Sequence, residues 1–312
     1  MNKSRVPMSE RPSTHRYPTS LSDMPRLLSP WKIRSLLLSL AILLSCSSSG
    51  VPDRQLDSSR PPATGRCGSP ELRVATYNIY FRTCELTQTS VVLQNMDADV
   101  VALQEVSKGC VPCFEKERNL AREYPYRHFA SGLGLLSRFP LRNVRYEHSR
   151  RGINGFLFAE IDHPKRGRVQ IANLHLDPLR LWSARDLAKL PFQLKSQREI
   201  QRDELAQVFA QLKPGLPTIL TGDFNRVTHD VVNKLREMGF IDSCAAVTRN
   251  ADNLSTLHFS LLGLRLGRRI DYIFHDRNFQ TIQCRVIPGQ PSDHDALVSG
   301  LAWGASRPLS RG

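Results

Sequence analysis

Downstream of residue 70, apolar runs of strand length recur between polar punctuation: Leu72 to Ile79, Val100 to Val106, Leu133 to Ser137, Phe156 to Ile161, Val169 to Leu176, Thr218 to Thr221, Ile270 to Phe274 and Ala296 to Leu301. Short runs bounded by Gly, Pro and Asp read as buried strands. Four other stretches, Ser90 to Met96, Cys113 to Glu123, Lys195 to Leu212 and Asp230 to Met238, place apolar residues near the 3.6-residue period and predict helices. The helices do not alternate one for one with the strands, and Leu133 to Leu176 is mostly strand. The pattern therefore predicts an α/β (α+β) domain of mixed sheets packed face to face, helices outside, over residues 71–304 and followed by a tail at 305–312. No internal repeat is visible.

The N-terminus has a different texture. Residues 1–31 are rich in Ser, Pro and Arg without periodicity. Lys32 and Arg34 then precede an apolar stretch, Ser35 to Leu44, which falls well short of the roughly 20 residues that span a bilayer. It reads as the hydrophobic region of a signal peptide. The stretch runs into Leu43-Leu44-Ser45-Cys46, which resembles the lipobox of bacterial lipoproteins, although Leu44 is a less usual residue there. That resemblance implies a 1–46 signal ending at a lipidated Cys46, a flexible tether over 47–70, and a place in the bacterial cell envelope, held to a membrane by lipid. The segment before the apolar stretch is long, so Met24 competes with Met1 as the start.

The chain carries a formal net charge of +14 and stays basic once the signal is removed, which favours polyanionic partners without specifying one. Export places Cys67, Cys84, Cys110, Cys113, Cys244 and Cys284 in an oxidising compartment, where disulfides form. Cys110-Val-Pro-Cys113 has the spacing of a redox or zinc half-site. No matching second pair exists, so a local bridge is the expected reading.

Chemistry gathers at strand ends. One predicted strand closes on Asn78 and another on Glu105; a third closes on His175, and Ile219-Leu220 leads into Gly222-Asp223-Phe224-Asn225. Arg269-Ile270-Asp271-Tyr272 and Ser292-Asp293-His294 follow. Each motif alone is more often a turn or helix cap than a site. Together, at the mouths of adjacent strands, carboxylates can hold a hard cation and a histidine can move a proton.

The set TYN, LQE, NLHL, GDFN, RIDY and SDH, in that order from Arg73 to Val298 and joined by Leu136-Ser137-Arg138-Phe139-Pro140 and Arg198 to Gln201, resembles the endonuclease/exonuclease/phosphatase superfamily of metal-dependent phosphoesterases. The resemblance implies a four-layer αββα sandwich, two mixed central sheets flanked by helices, with the site at one edge. It also implies roles. Glu105 becomes the principal metal carboxylate, with Asn78 beside it and Asp293 completing the metal environment. Asp223 and Asn225 position the attacking water and a phosphoryl oxygen. His294 serves as general base or phosphate contact, Asp271 holds its ring, and His175 touches a nonbridging oxygen or the leaving group. The oxygen-rich donors favour Mg²⁺, with Mn²⁺ the alternative. Asp295 stands where a proline is common in the family.

Reaction type is better constrained than substrate. A phosphodiester substrate, nucleic acid first, fits the basic charge of a monomeric enzyme. Arg268 and Arg269, within Leu264 to Arg269, are candidate guides for a phosphate backbone; Arg145 to Arg151 and Lys165 to Arg168 are further basic runs. Asp177 to Phe192 carries Trp182 and Phe192, able to stack a base or pack a loop onto the core. A sphingomyelinase-like phospholipid esterase, or an inositol or sugar phosphate esterase, is the rival enzyme reading, weakened for lipid by the lack of a long aromatic hairpin. An inactive polyanion-binding surface lipoprotein is the reading from another class.

Overall fold

A computed structural model describes residues 69–80, 86–179, 189–226, 229–261 and 264–304. The signal segment with Cys46, nearly all of the tether, Cys67, Cys84, Trp182 and the 305–312 tail lie outside the described residues. In chain order the strands are β1 (Leu72–Asn78), β2 (Val100–Gln104), β3 (Tyr126–Ala130), β4 (Leu133–Ser137), β5 (Leu141–His148), β6 (Gly155–His163), β7 (Gly167–His175), β8 (Thr218–Asp223), β9 (Ile241–Asp242), β10 (Leu257–Leu261), β11 (Leu264–Arg268), β12 (Asp271–His275), β13 (Phe279–Ile287) and β14 (Ala296–Trp303). The helices are α1 (Leu86–Met96), α2 (Val111–Lys116), α3 (Arg118–Glu123), α4 (Leu190–Gln211), α5 (Asp230–Glu237) and α6 (Ser243–Val247).

The strands form two mixed six-stranded sheets, ordered β13-β14-β1-β2-β4-β3 and β5-β6-β7-β8-β12-β9, with β10 and β11 as a separate hairpin. The two-residue period of a strand sorts its side chains between the sheet faces. Val74, Val100, Ala102, Leu135, Leu157, Ile171, Ile219 and Ile273 fill one core cluster, drawn from both sheets. The alternate positions, Ala75, Tyr77, Val101 and Leu103, pack with Val92 and Leu93 of α1, Phe114 of α2 and Leu120 of α3. On the second sheet Leu174, Leu220, Tyr272 and Phe274 pack with Leu205 of α4 and Val231 and Leu235 of α5. The result is the α/β sandwich that the resemblance implied. Each buried Leu, Ile, Val or Phe contributes about 1.5–3 kcal/mol to holding these layers together.

Every apolar run read from the sequence is a strand, and four of the six unread strands share a physical explanation. β3, β5, β9 and β13 are sheet edges. Three of them, β3, β5 and β13, carry half-exposed sequences that lack a clean apolar run. The helix predicted over Cys113 to Glu123 breaks in two at Glu117, whose extended backbone and carboxylate, accepting from the Leu120 N–H at 2.5 Å, start α3 afresh. The expected local bridge between Cys110 and Cys113 does not form. Cys113 is free and exposed, whereas Cys110 is disulfide-bonded elsewhere. Cys244 of α6 pairs with Cys284 of β13.

Polar residues also hold the two sheets together. One pleat below the strand ends, the Gln104 amide donates to Asn173 Oδ1 at 2.7 Å, and Asn173 Nδ2 donates to the carbonyls of Leu103 at 2.8 Å and Gly134 at 2.9 Å. All of these groups are buried, so the tie joins β7 of one sheet to β2 and β4 of the other. Asn173→Ala is expected to remove three buried hydrogen bonds, leaving the Gln104 amide its contacts with Thr76 Oγ1 and the Ala102 carbonyl, and to cost about 2–4 kcal/mol in urea unfolding, since each such bond contributes about 0.5–1.5 kcal/mol. A loss below about 1 kcal/mol would remove the tie from the account.

Candidate active site at the sheet rim

Topology decides where the polar strand ends meet. β1 runs parallel to β2, and β7 parallel to β8, so the carboxyl ends of each pair share an edge. β14 is antiparallel to β1, and β12 to β8, so the start of each of those strands lies at the same edge. Register then sets His175 beside Asp223 and Asp223 beside Asp271 on three adjacent strands. Asn78, His175, Asp223 and Asp271 share strand parity with Val74, Ile171, Ile219 and Ile273, and therefore face the opposite sheet. Parity alone would turn Glu105 to the helix-covered side. Its left-handed backbone, φ 59°, ends the strand and redirects it. Gly222 has φ 139°, and a Cβ there would lie 1.9 Å from the Leu174 carbonyl oxygen, so only glycine allows β7 and β8 this approach.

The distances confirm the convergence. Asn78 Nδ2 donates to Glu105 Oε1 at 3.0 Å and to Asp223 Oδ2 at 3.1 Å. His175 Nε2 lies 3.7 Å from Asp223 Oδ2 and 4.0 Å from Glu105 Oε1. His294 Nδ1 is bonded to Asp271 Oδ2 at 2.9 Å, and its Nε2 sits 3.9 Å from Asp223 Oδ2. Asn225, also left-handed with φ 45°, donates its N–H to Asp223 Oδ1 at 2.7 Å and its Nδ2 to the Leu176 carbonyl at 2.9 Å. Of the expected site residues, Asp293 stands apart. It is exposed, and the tight acid and histidine group among the described residues comprises Asp223, Asp271 and His294.

Burial sets the electrostatics. Loss of hydration, with the Asp271 charge beside it, pushes the Asp223 carboxyl up to about 6, while His294 and His175 pull the other way. For His294, burial disfavours the charged ring. The Asp271 carboxylate, reinforced by Asp223 and Asp293, overrides that and pushes the imidazole up to about 10. Asp271 Oδ1 is buried without a hydrogen-bond partner, and three carboxylates, Glu105, Asp223 and Asp271, meet around two imidazoles. Such a concentration of acidic oxygen suits a divalent cation. Asn78 presents its NH₂ to both carboxylates while its Oδ1 accepts the Tyr80 N–H at 3.0 Å, so it orients the acids.

The expected substrate guides separate. Arg268 is half-buried at the end of β11, where burial and the neighbouring Arg226 hold its guanidinium below the usual arginine range. Arg269 is a correction: it is 1% exposed, paired with Asp242 at 2.5 and 3.1 Å and stacked 4.3 Å from the centre of the Tyr272 ring, so it faces the interior. Lys165 to Arg168 occupies the β6–β7 turn, at the far end of β7 from His175, about 26 Å away at strand rise. The C-terminal half of Arg145 to Arg151 lies at the site end, because His148 pairs with Gly155 and Phe156 with Leu174. Phe192 is 70% exposed at the start of α4.

Sequence reading missed the supports. Thr256 Oγ1 accepts the N–H groups of Ile270 and Asp271 at 3.1 Å each. Gln197 and Gln201 of α4 donate to the Asn225 carbonyl at 3.1 and 3.4 Å, and both also hold the Asp177 carbonyl. Gln201 closes the Arg198 to Gln201 motif, and Gln197, one helical turn earlier, shares its helix face.

A site of clustered carboxylates and histidines at one rim of an α/β sandwich defines a phosphoesterase class. The profile of the Endonuclease/Exonuclease/phosphatase family matches residues 75–294, and the chain belongs to that family, whose members hydrolyse phosphoester bonds. No curated protein matches the chain in sequence. Among solved structures it is similar to an endonuclease/exonuclease/phosphatase protein from Beutenbergia cavernae, with 20% identity, TM-score 0.56, and 75% of this chain and 72% of that one covered. It is also similar to D. rerio TDP2 complexed with single-strand DNA product, with 15% identity, TM-score 0.59 and coverage of 74% and 98%. A third likeness is to the Neisseria 3′ phosphatase NExo bound to a product DNA hairpin, with 16% identity, TM-score 0.55 and coverage of 74% and 100%. At these identities the likeness shows the fold.

Arg269→Ala is expected to act on stability. Removing the guanidinium leaves buried Asp242 the Cys244 and Ala245 N–H groups that it caps and, as its counter-charge, Arg236 at 3.6 Å; breaking a buried pair of this kind costs about 3–5 kcal/mol. A variant that unfolds like the parent but binds phosphate polymers less well would restore Arg269 as a surface guide.

Proposed function

We propose that the chain is a divalent-metal-dependent phosphodiesterase, nucleic acid its first substrate class, acting as an exported lipoprotein. The single observation that carries this reading is the convergence of Asn78, Glu105, His175, Asp223, Asp271 and His294 within hydrogen-bond or ion-pair distance at one rim. Glu105, partly exposed and steadied by Asn78, would hold the ion, and exposed Asp293 would contribute through water. An all-oxygen donor set favours Mg²⁺, with Mn²⁺ the alternative. A bound cation supplies neutralisation of phosphate charge during attack by water.

The remaining chemistry belongs to the chain. Asp223, ionised above pH about 6, accepts a proton from the attacking water. Asn225, locked by its bonds to Asp223 and Leu176, presents its amide to a phosphoryl oxygen. His294 keeps its proton at neutral pH, so its Nε2 acts as a donor to the phosphoryl group; the general-base alternative does not suit a ring held near 10. Asp271 fixes that ring through Nδ1. His175 lies within reach of the same oxygens.

Nucleic acid is favoured over lipid by the basic charge and by the DNA found with TDP2 and NExo. Incubation with DNA, RNA, sphingomyelin and inositol phosphates, with and without EDTA, tests this directly. Turnover of DNA or RNA that chelation abolishes is expected, and chelator-resistant turnover would contradict the metal role. Glu105→Ala is expected to reduce turnover at least about 100-fold, the scale of losing one electrostatic group in a catalytic site, while folding and polyanion retention persist. Retention without turnover in the parent chain would favour the inactive binding module.

The pH profile of kcat/KM follows from two raised groups. Activity falls on the acid side as Asp223 takes a proton, at or below about 6 because a bound cation favours its anion, and falls on the alkaline side as His294 loses one, at or below about 10 because the same cation disfavours the charged ring. A profile rising through 8 to 10 would reverse the roles. For localisation, labelling with a palmitate analogue is expected to tag the chain and to fail in Cys46→Ala.

A further inference from the structure

The loop that carries His294 is gripped from several directions. Ser292 Oγ donates to the Asn78 carbonyl at 2.7 Å and accepts the His294 N–H at 3.0 Å. Behind the histidine, Asp295 makes three ties: its Oδ1 accepts the Gly289 N–H at 3.0 Å, its N–H donates to the Thr256 carbonyl at 2.7 Å, and its Oδ2 lies 2.7 Å from His258 Nε2. His258 sits on β10, and its own N–H donates to the Asp293 carbonyl at 2.8 Å, while Leu257 forms a bridge with His294 itself. The hairpin is therefore stitched along residues 293–295 by backbone bonds and closed by one side-chain pair. Thr256, at the foot of the hairpin, also holds the N–H of Asp271, the residue that orients His294.

We infer that Asp295 and His258 form a positioning pair that docks the β10–β11 hairpin against the catalytic loop and thereby fixes the His294 ring against Asp271 and Asp223. This rests on the functional reading given above. The pair is charge-assisted and short, with side chains 20% and 24% exposed, so solvent competes with it only in part. The backbone bonds fix the 293–295 segment along the β10 edge, and the Asp295 carboxylate, bonded to both Gly289 and His258, adds the side-chain tie that joins the other arm of the loop to the hairpin. Misplacing a reacting group by about 1 Å costs about 100-fold in rate, so a device of this kind acts on turnover more than on affinity.

The test compares His258→Ala, His258→Gln, Asp295→Ala and the double alanine variant in the full chain. His258→Ala and Asp295→Ala are each expected to lower kcat about tenfold with KM changed less than about threefold, and the double variant to be no worse than the poorer single, as for residues that act as a unit. His258→Gln, whose amide nitrogen reaches the position of Nε2, should recover most of the loss. A merely structural contact would lower the melting temperature in all variants without this kcat pattern or the rescue, and that result would overturn the inference. Imidazole nitrogen resonances of His294 in histidine-labelled protein supply a readout independent of turnover. They should move in His258→Ala and return in His258→Gln; unchanged resonances in His258→Ala would also overturn it. If the parent chain proves inactive, or His294→Ala leaves turnover intact, the functional reading fails instead, and the resonances still decide whether the pair positions His294.

Discussion

The hydrogen bond from Asn78 to Asp223 crosses from one sheet to the other, and the candidate site exists only because that crossing is short. Asp223 is nearly solvent-free, and burial pushes its carboxyl up. What keeps it useful is company: the Asn78 amide, the Asn225 N–H and two imidazoles surround it, each supplied by a different segment. A buried acid with so many donors is costly unless every neighbour is held in place. Much of the fold can be understood as the means of holding them.

The two sheets do that work at two depths. Nearest the rim, strand register puts His175, Asp223 and Asp271 side by side, and a left-handed turn at Glu105 swings a fourth group into the same space. One pleat deeper, Gln104 and Asn173 bond across the interface between sheets, so the layers cannot slide without breaking buried polar contacts. Deeper still the interface is aliphatic. The outer faces carry the helices, and α4 reaches back to the rim through Gln197 and Gln201. The candidate site and the cohesion between the sheets therefore come from neighbouring positions on the same strands.

Much of this was legible in the sequence because both faces of a central strand are buried. Such strands appear as continuous apolar runs, and a polar residue closing one is conspicuous: Asn78, Glu105, His175 and Asp223 were visible for that reason. Edge strands such as β3 and β5 were not, since none of their residues is fully buried. The pairing of Arg269 was hidden for another reason, as Asp242 lies 27 residues away and only the tertiary fold brings the two together. Arg269 looked like a surface cation in the run Leu264 to Arg269, yet one residue of strand parity separates it from Arg268 and turns it inward onto Tyr272 and Asp242. Asp293 shows the converse, a motif residue whose carboxylate the fold leaves at the surface.

Anomalous diffraction from crystals soaked in Mn²⁺ examines whether the acidic rim is an ion site. A peak about 2.1–2.2 Å from a carboxylate oxygen of Glu105, beside Asn78 and within reach of Asp223, is the predicted result. Full occupancy elsewhere on the molecule with none at this rim would contradict it.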